Sequence, residues 1–189
     1  MGEGAGTRRT VPQGDLNMRV ALTGTPGTGK TSVAKVLRDR GYDVLDMTQF
    51  IRDNDLREEY DADRDTYSVD VEKLNDALSD MKDCIFEGHL AHFMDVDMII
   101  VMRCHPDVLA ERLKARGYSE SKVRENVEAE LLDVILCESV DSEIPTFVID
   151  TTSESPQESA SAVEDIMKGN TDNRMPGDVS WAAEMEKWL

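Results

Sequence analysis

The sequence is short of cysteine, and the few cysteines it has are far apart. Among 189 residues there are three, Cys84, Cys104 and Cys137. An odd and unclustered set excludes a disulfide framework and a cysteine-rich metal centre. We therefore expect all three to be reduced core residues of a cytoplasmic protein.

Long apolar runs are also missing. The longest lies in DMIIVM (97–102), far short of the roughly 20 residues that a membrane-spanning helix needs. The chain does not open with a basic segment followed by an apolar one, so we expect no secretory signal and no association with a membrane.

Positive charge is scarce. There are 21 Lys and Arg against 39 Asp and Glu, which gives a net charge of −18 and a pI near 4.4. This balance argues against direct binding to nucleic acid or to anionic membranes, because both need clustered positive charge. The acidic residues are spread along the chain, which suits a halophile's high-salt cytoplasm where repulsion is screened. The alternative is an ordinary acidic cytoplasmic protein.

Apolar segments of strand length alternate with segments of helical character. The predicted strands are 19–23, 42–47, 84–88, 97–104 and 146–151, and the predicted helices are 30–41, 48–55, 69–83, 105–117, 119–140 and 155–169. Residues 57–68 form a very acidic segment that we expect to be a loop. Alternation of this kind predicts an α/β fold, with a five-stranded parallel sheet covered by helices on both faces. Ligands of such sheets bind outside the carboxyl ends of the strands.

The first predicted strand runs directly into a glycine-rich segment, GTPGTGKT (24–31), which then opens a helix. This is the G-x-x-x-x-G-K-[ST] pattern of a P-loop in its required strand–loop–helix context. Glycines allow backbone N–H groups to turn inward around a phosphate, and the helix N-terminus adds partial positive charge. We expect Lys30 to reach the β- and γ-phosphates of ATP, Thr31 to ligate Mg²⁺, and Ser32 to contact the α-phosphate.

A carboxylate follows the apolar run Cys84-Ile85-Phe86 at the predicted end of a strand. Phosphoryl transfer needs a second carboxylate to hold the Mg²⁺ shell, and Glu87 has the expected place. Two residues later, His89 could orient a water or relay a proton. The alternative for His89 is an ordinary helix-cap or loop histidine.

Three arginines fall near predicted strand or helix ends. Arg103 ends a strand, while Arg112 and Arg116 lie four residues apart on one helix. Guanidinium groups that converge on the phosphates would stabilise the charge of the transition state. The alternative is ion pairing with the many carboxylates. We favour Arg116 for the phosphates because it closes its helix.

Taken together, these motifs resemble the adenylate kinase isoenzyme 6 family. The resemblance covers about residues 18–150 and is carried by four segments in the family's order: LTGTPGTGKTS (22–32), Glu87-Gly88-His89, VMRC (101–104) and LAERLKARGYSESKVRENVEAE (109–130). Many members have Asp at the acidic position, where this sequence has the longer Glu87.

The resemblance implies a short-type nucleoside monophosphate (NMP) kinase fold of the P-loop class, with strand order 2-3-1-4-5. It implies a kinase domain over 18–169, with an NMP-binding region at about 46–69 and a small LID at about 115–125. Two segments lie outside the resemblance. Residues 1–17 are rich in Gly and polar residues without periodicity, so we expect a disordered extension. Residues 170–189 are a tail, and we expect its Trp181 and Trp188 to dock on the body. The site residues that the resemblance implies are Gly27, Gly29, Lys30, Thr31 and Ser32 for the ATP phosphates, Arg116 for ATP, Arg52 for the monophosphate, and Thr31 with Glu87 for Mg²⁺.

The activity that the resemblance implies is ATP + AMP = 2 ADP, with ATP hydrolysis as a side activity. Eukaryotic members of the family also act as ATPases in small-subunit ribosome assembly. A transient partner would then be the platform ribosomal protein uS-eleven, with a role in 16S rRNA maturation. The alternatives are a ribosome-assembly ATPase with little kinase role, or another small-molecule P-loop kinase such as a shikimate or cytidylate kinase.

Overall fold

The computed structural model describes residues 17–61 and 66–188 and contains a five-stranded parallel sheet. The strands of the described residues are β1 (Arg19–Thr23), β2 (Val44–Asp46), β3 (Arg57–Asp61), β4 (Thr66–Val69), β5 (Cys84–Glu87), β6 (Met98–Arg103) and β7 (Thr146–Asp150). The order across the sheet is β2-β5-β1-β6-β7, with every pair parallel. This confirms the predicted order 2-3-1-4-5.

Helices cover both faces of this sheet. They are α1 (Lys30–Asp39), α2 (Met47–Asp53), α3 (Val71–Leu78), α4 (Pro106–Ala115), α5 (Glu120–Leu131), α6 (Val134–Asp141), α7 (Pro156–Met167) and α8 (Met185–Trp188), with short 3₁₀ turns at Ala91–Phe93 and Ala182–Glu184. Within the described ranges, none of these helices has the length and apolar character needed to cross a membrane.

The central strands alternate between two cores, because successive side chains of a strand point to opposite faces. On β1, Val20 and Leu22 pack with α1 and α7, whereas Ala21 packs with α2 and α3 on the other face. On β6, Ile100 and Ile99 divide in the same way. All five side chains are fully buried. Apolar residues at every position of these strands are therefore what the two-sided sheet requires.

The prediction of a single helix over 119–140 is wrong, because this helix is interrupted. It is broken into α5 and α6 at Leu132 and Asp133, where Asp133 has a φ of 55°. The Asp133 carboxylate accepts a hydrogen bond from the guanidinium of Arg103 on β6. The break therefore coincides with an ion pair to a distant strand. The apolar pattern along 119–140 gives no indication of that ion pair.

The acidic loop predicted over 57–68 is in part a hairpin. β3 and β4 pair in antiparallel fashion, and the guanidinium of Arg57 lies 5.0 Å from the ring centroid of Tyr67. Residues 62–65 of that segment lie outside the described residues. The cysteine prediction also needs one correction, since Cys84 and Cys104 are buried but Cys137 is exposed.

The C-terminal segment, residues 170–188, folds back over α4 and α5. Trp181 is buried against both helices, and the Trp188 ring packs on the same cluster. Along the way, the Arg174 carbonyl accepts a 2.7 Å hydrogen bond from the N–H of Val148 on β7. The predicted extension falls, for residues 1–16, outside the described part of the chain, as does Leu189.

Candidate active site

The carboxyl ends of the parallel strands bring the P-loop and Glu87 to one edge of the sheet. Leu22 of β1 is in register with Glu87 of β5, and Thr23 is in register with Val101 of β6. The chain leaves β1 at Thr23 and enters the P-loop directly. The glycine-rich loop and the carboxylate of β5 therefore lie side by side, as the strand pattern predicts.

The P-loop follows a backbone path that side chains rarely allow. Gly24, Gly27 and Gly29 have φ values of 138°, 97° and 101°. A Cβ at Gly24 would lie 2.3 Å from the carbonyl oxygen of Met102 on β6. The loop is thus seated against the neighbouring strand at a distance that only glycine permits.

Lys30 opens α1 and turns back over the loop. Its Nζ donates to the carbonyl oxygens of Gly24, at 2.6 Å, and Thr25, at 3.0 Å. Burial lowers the pKa of Lys30 to about 8, although the carboxylates of Glu87 and Glu130 act in the opposite direction. The cation therefore lies within the loop that would surround the phosphates.

Glu87 and Thr31 form an oxygen pair beside this cation. The Thr31 hydroxyl donates to Oε1 of Glu87 at 3.3 Å, and Glu87 is buried. Burial raises the pKa of Glu87, and the nearby Lys30 opposes that rise. A hydroxyl and a carboxylate next to a phosphate cradle are the hard oxygen donors that Mg²⁺ takes, so this donor set fits the ion.

His89 follows the end of β5 by two residues. Its side chain is solvent-exposed, yet partial desolvation, assisted by the charge of Lys30, lowers the pKa of His89 to about 4. Its carbonyl oxygen accepts a 3.3 Å hydrogen bond from the Thr23 hydroxyl. His89 is therefore a neutral imidazole at pH 7, held by its backbone at the end of β1.

A cavity of about 200 Å³ adjoins the P-loop on the side of α4 and α7. Arg112 lines it and donates to the carbonyl oxygens of Thr151 and Thr152, at 2.8 and 3.3 Å. Arg116 lines the same cavity with an exposed side chain, as does Ser32. The structure thus places Arg116 on the same cavity as Gly27 and Gly29 of the P-loop, and its contact with ATP stays a prediction.

Two other predicted arginines lie elsewhere. Arg103 is buried and paired, since its Nε donates to Oε1 of Glu130 at 2.7 Å. A role for Arg103 at the phosphates is therefore wrong, and the alternative of ion pairing holds. Arg52 is exposed on α2, where its guanidinium donates to Oε1 of Gln49 at 3.4 Å.

The sequence reasoning missed Glu130. This residue is 2 % exposed, and its Oε2 accepts a 2.5 Å hydrogen bond from the hydroxyl of Thr25 in the P-loop. A signal was present, because Glu130 falls on the apolar stripe that Val123, Val127 and Leu131 form along α5. A carboxylate on a buried stripe requires partners.

Comparison with known proteins places the chain among archaeal relatives. A model of the AAA domain family matches residues 20–133. An Archaeoglobus fulgidus protein described as "Putative adenylate kinase" is 45% identical over 173 residues, which are 89% of this chain and 94% of the relative. A Methanocaldococcus jannaschii protein with the same description is 40% identical over 177 residues, 91% of this chain and 97% of the relative. The chain belongs to this archaeal family.

Solved structures of two other kinases have the same fold as this chain. A shikimate kinase from Acinetobacter baumannii in complex with shikimate has a TM-score of 0.59 at 14% identity, covering 81% of this chain and 94% of that one. A deoxyadenosine kinase from M. mycoides with bound dATP has a TM-score of 0.50 at 15% identity, covering 80% and 99%. At these identities the likeness shows the P-loop kinase fold alone.

Proposed function

We propose that the protein is a nucleoside monophosphate kinase that transfers the γ-phosphoryl group of ATP to AMP and also hydrolyses ATP. The observation that carries the proposal is the meeting of Lys30, Thr31 and Glu87 at one strand edge. Membership of a family whose relatives are described as "Putative adenylate kinase" supports AMP as the acceptor.

The donor nucleotide would lie along the P-loop. Its phosphates would meet the loop backbone at Gly27 and Gly29, where positive φ values turn the chain inward. Ser32 lines the adjoining cavity together with Gly27, Thr28 and Gly29 of the loop. The α-phosphate would therefore lie where the loop meets the cavity. The base would then occupy the cavity between α4 and α7.

Thr31 and Glu87 would hold Mg²⁺, because their oxygens are adjacent and face the same loop. When bound, the ion would neutralise charge on the phosphates. Lys30 would leave the carbonyl oxygens it now bonds and donate to the β- and γ-phosphates instead. A preorganised cation at the transferred group stabilises the transition state in this way.

The acceptor would be held by the segment 46–69 and enclosed from the other side by the LID at 115–125. Arg52 on α2 would bind the monophosphate, and Arg116, at the C-terminus of α4, would contact ATP from the LID side. A phosphate monoester is itself a good nucleophile, so positioning by these arginines suffices without a general base.

A second role, ribosome assembly through the basic protein uS-eleven, rests on the family resemblance and on the net charge of −18. An acidic surface complements a basic partner. In a pull-down of the tagged protein from native lysate, ATP-dependent release of that one ribosomal protein would support this role. Its absence with and without ATP would exclude it.

The deciding experiment compares ADP formation from ATP alone, from ATP with AMP, and from ATP with shikimate. We expect AMP to give the fastest reaction. Lys30→Ala should lower that rate by a factor corresponding to roughly 3–4 kcal/mol of barrier. Lys35→Ala, on an exposed position of the same helix, is the matched control and should retain full activity. Lys30→Ala activity within tenfold of the unaltered protein would refute the assigned phosphate site.

A further inference from the structure

The buried carboxylate of Glu130 connects the P-loop to two other parts of the chain. Its Oε2 accepts from the Thr25 hydroxyl. Its Oε1 accepts from Nε of Arg103, at 2.7 Å, from the N–H of Cys104, at 3.1 Å, and from Nε1 of Trp181, at 3.1 Å. A buried carboxylate with four donors is fixed in orientation, because each bond constrains the plane of the group.

Thr25 is the member of the P-loop that this carboxylate controls. Its carbonyl oxygen accepts from Nζ of Lys30 at 3.0 Å. The same oxygen accepts from the N–H of Thr28 at 3.2 Å and from the Thr28 hydroxyl at 2.9 Å. The position of Thr25 therefore sets the turn of the loop and the place from which Lys30 would reach a phosphate.

Trp181 reaches Glu130 from the C-terminal segment, 51 residues further along the chain. The residue is 9 % exposed, and its ring packs against α4 and α5. The end of the segment is held separately, since Nζ of Lys187 and Nε1 of Trp188 both donate to the Asp107 carboxylate. Of these two indoles, only that of Trp181 donates to Glu130, the carboxylate that also bonds the P-loop.

We propose that Trp181 is a positioning residue for ATP: through Glu130 it holds Thr25, and with it the P-loop, in the conformation that receives the phosphates. The C-terminal segment then contributes to the nucleotide site although none of its described residues lines the cavity beside the P-loop. The proposal rests on ATP binding at the P-loop, and it is independent of AMP as the acceptor.

The test compares Trp181→Phe with Trp188→Phe. Each variant keeps an aromatic ring and loses one indole N–H that donates to a carboxylate, but only the first loss affects Glu130. Calorimetric titration with Mg·ATP, below both melting temperatures, gives the affinity and the number of sites. We expect Trp181→Phe to weaken Kd about tenfold, equivalent to about 1.4 kcal/mol, with the stoichiometry still near one. Trp188→Phe should bind within twofold of the unaltered protein.

A purely structural role for Trp181 would lower the melting temperature or the number of sites and leave Kd unchanged. A Kd for Trp181→Phe within twofold of the Trp188→Phe value therefore overturns the proposal. Failure of AMP phosphorylation with ATP binding intact would reject only the acceptor proposed above.

A double-mutant cycle supplies the second measurement. Thr25→Val removes the hydroxyl that bonds Glu130, so the Trp181→Phe change should cost little more once that bond is gone. We expect the double variant to bind ATP about as weakly as the weaker single variant. Independent, multiplying losses in Kd would show that the two residues do not act through the shared carboxylate, and would overturn the proposal.

Discussion

Lys30 is buried within the loop that we propose to bind the phosphates of ATP, and this burial makes ATP binding sensitive to pH. Its pKa is lowered to about 8, mainly by desolvation, so the side chain loses its proton in the free protein above that pH. Phosphates bind the protonated form, so binding must then take up a proton. We expect the ATP affinity to be constant between about pH 7 and 7.5 and to fall towards tenfold per pH unit above about 8.

Lys30→Arg is the control for this pH dependence, because a guanidinium stays protonated throughout the range. The variant should bind ATP more weakly and with a flat profile from about pH 7 to 9.5. Calorimetry at each pH measures both proteins. An equal decline in the two would mean that Lys30 is not the group that titrates.

His89 should distinguish hydrolysis from transfer to AMP. Its ring is neutral at pH 7, since its pKa is lowered to about 4, and a neutral imidazole can accept a hydrogen bond from a water. Hydrolysis needs such a water, whereas AMP brings its own nucleophile. We expect His89→Ala to lose about tenfold or more of the ATPase rate and to keep most of the AMP-dependent rate. Equal losses in the two assays would contradict this division.

At the scale of elements, the features that depend on local sequence patterns were predictable, whereas those that depend on contacts between distant residues were not. The P-loop and the strands β1, β5 and β6 were predictable because glycine spacing and two-sided burial leave a mark on adjacent residues. The break between α5 and α6 was not, since Asp133 is paired with Arg103, 30 residues away. Arg103 also donates to Glu130, 27 residues away, and this second distant pairing keeps Arg103 from the predicted phosphate site.

The hairpin of β3 and β4 illustrates a related difficulty. Acidic residues dominate 57–68, and composition of that kind is typical of a loop. The strands instead pair with each other, and Arg57 stacks on Tyr67 across them. Cross-strand pairs of this kind stabilise paired strands, and composition alone does not reveal them.

The seating of the P-loop on β6 yields a prediction for two of its glycines. Both Gly24 and Gly29 have positive φ, but a Cβ at Gly24 would meet the Met102 carbonyl oxygen at 2.3 Å, whereas at Gly29 the nearest atom is the Met102 methyl at 3.8 Å. Gly29→Ala should therefore lower the free energy of unfolding by about 1.5 kcal/mol from backbone strain alone. Gly24→Ala adds overpacking against a backbone atom and should cost about 4 kcal/mol. Urea denaturation measures both, and equal losses would show that the loop is not held against β6.

For the whole molecule, the net charge of −18 over 189 residues is the dominant electrostatic feature. Some acidic side chains are paired, as in the bond of Arg40 to Glu164 at 2.9 Å, but 21 Lys and Arg cannot pair 39 Asp and Glu. We propose that the chain is adapted to high salt, in which the remaining repulsion is screened. An ordinary acidic protein would not need such screening.

Salt dependence separates these two possibilities. Raising KCl from ~0.1 M to above ~1 M shortens the Debye length from about 10 to about 3 Å and so removes most of the repulsion between surface carboxylates. The melting temperature should rise over that range. The AMP affinity should rise with it, because the proposed acceptor region includes the acidic segment 57–68, which must close over an anion. In a protein without such adaptation, salt screens the phosphate contacts and weakens AMP binding. Thermal unfolding and AMP titration at several KCl concentrations measure both quantities, and a flat or falling melting temperature together with weaker AMP binding would rule out adaptation to high salt.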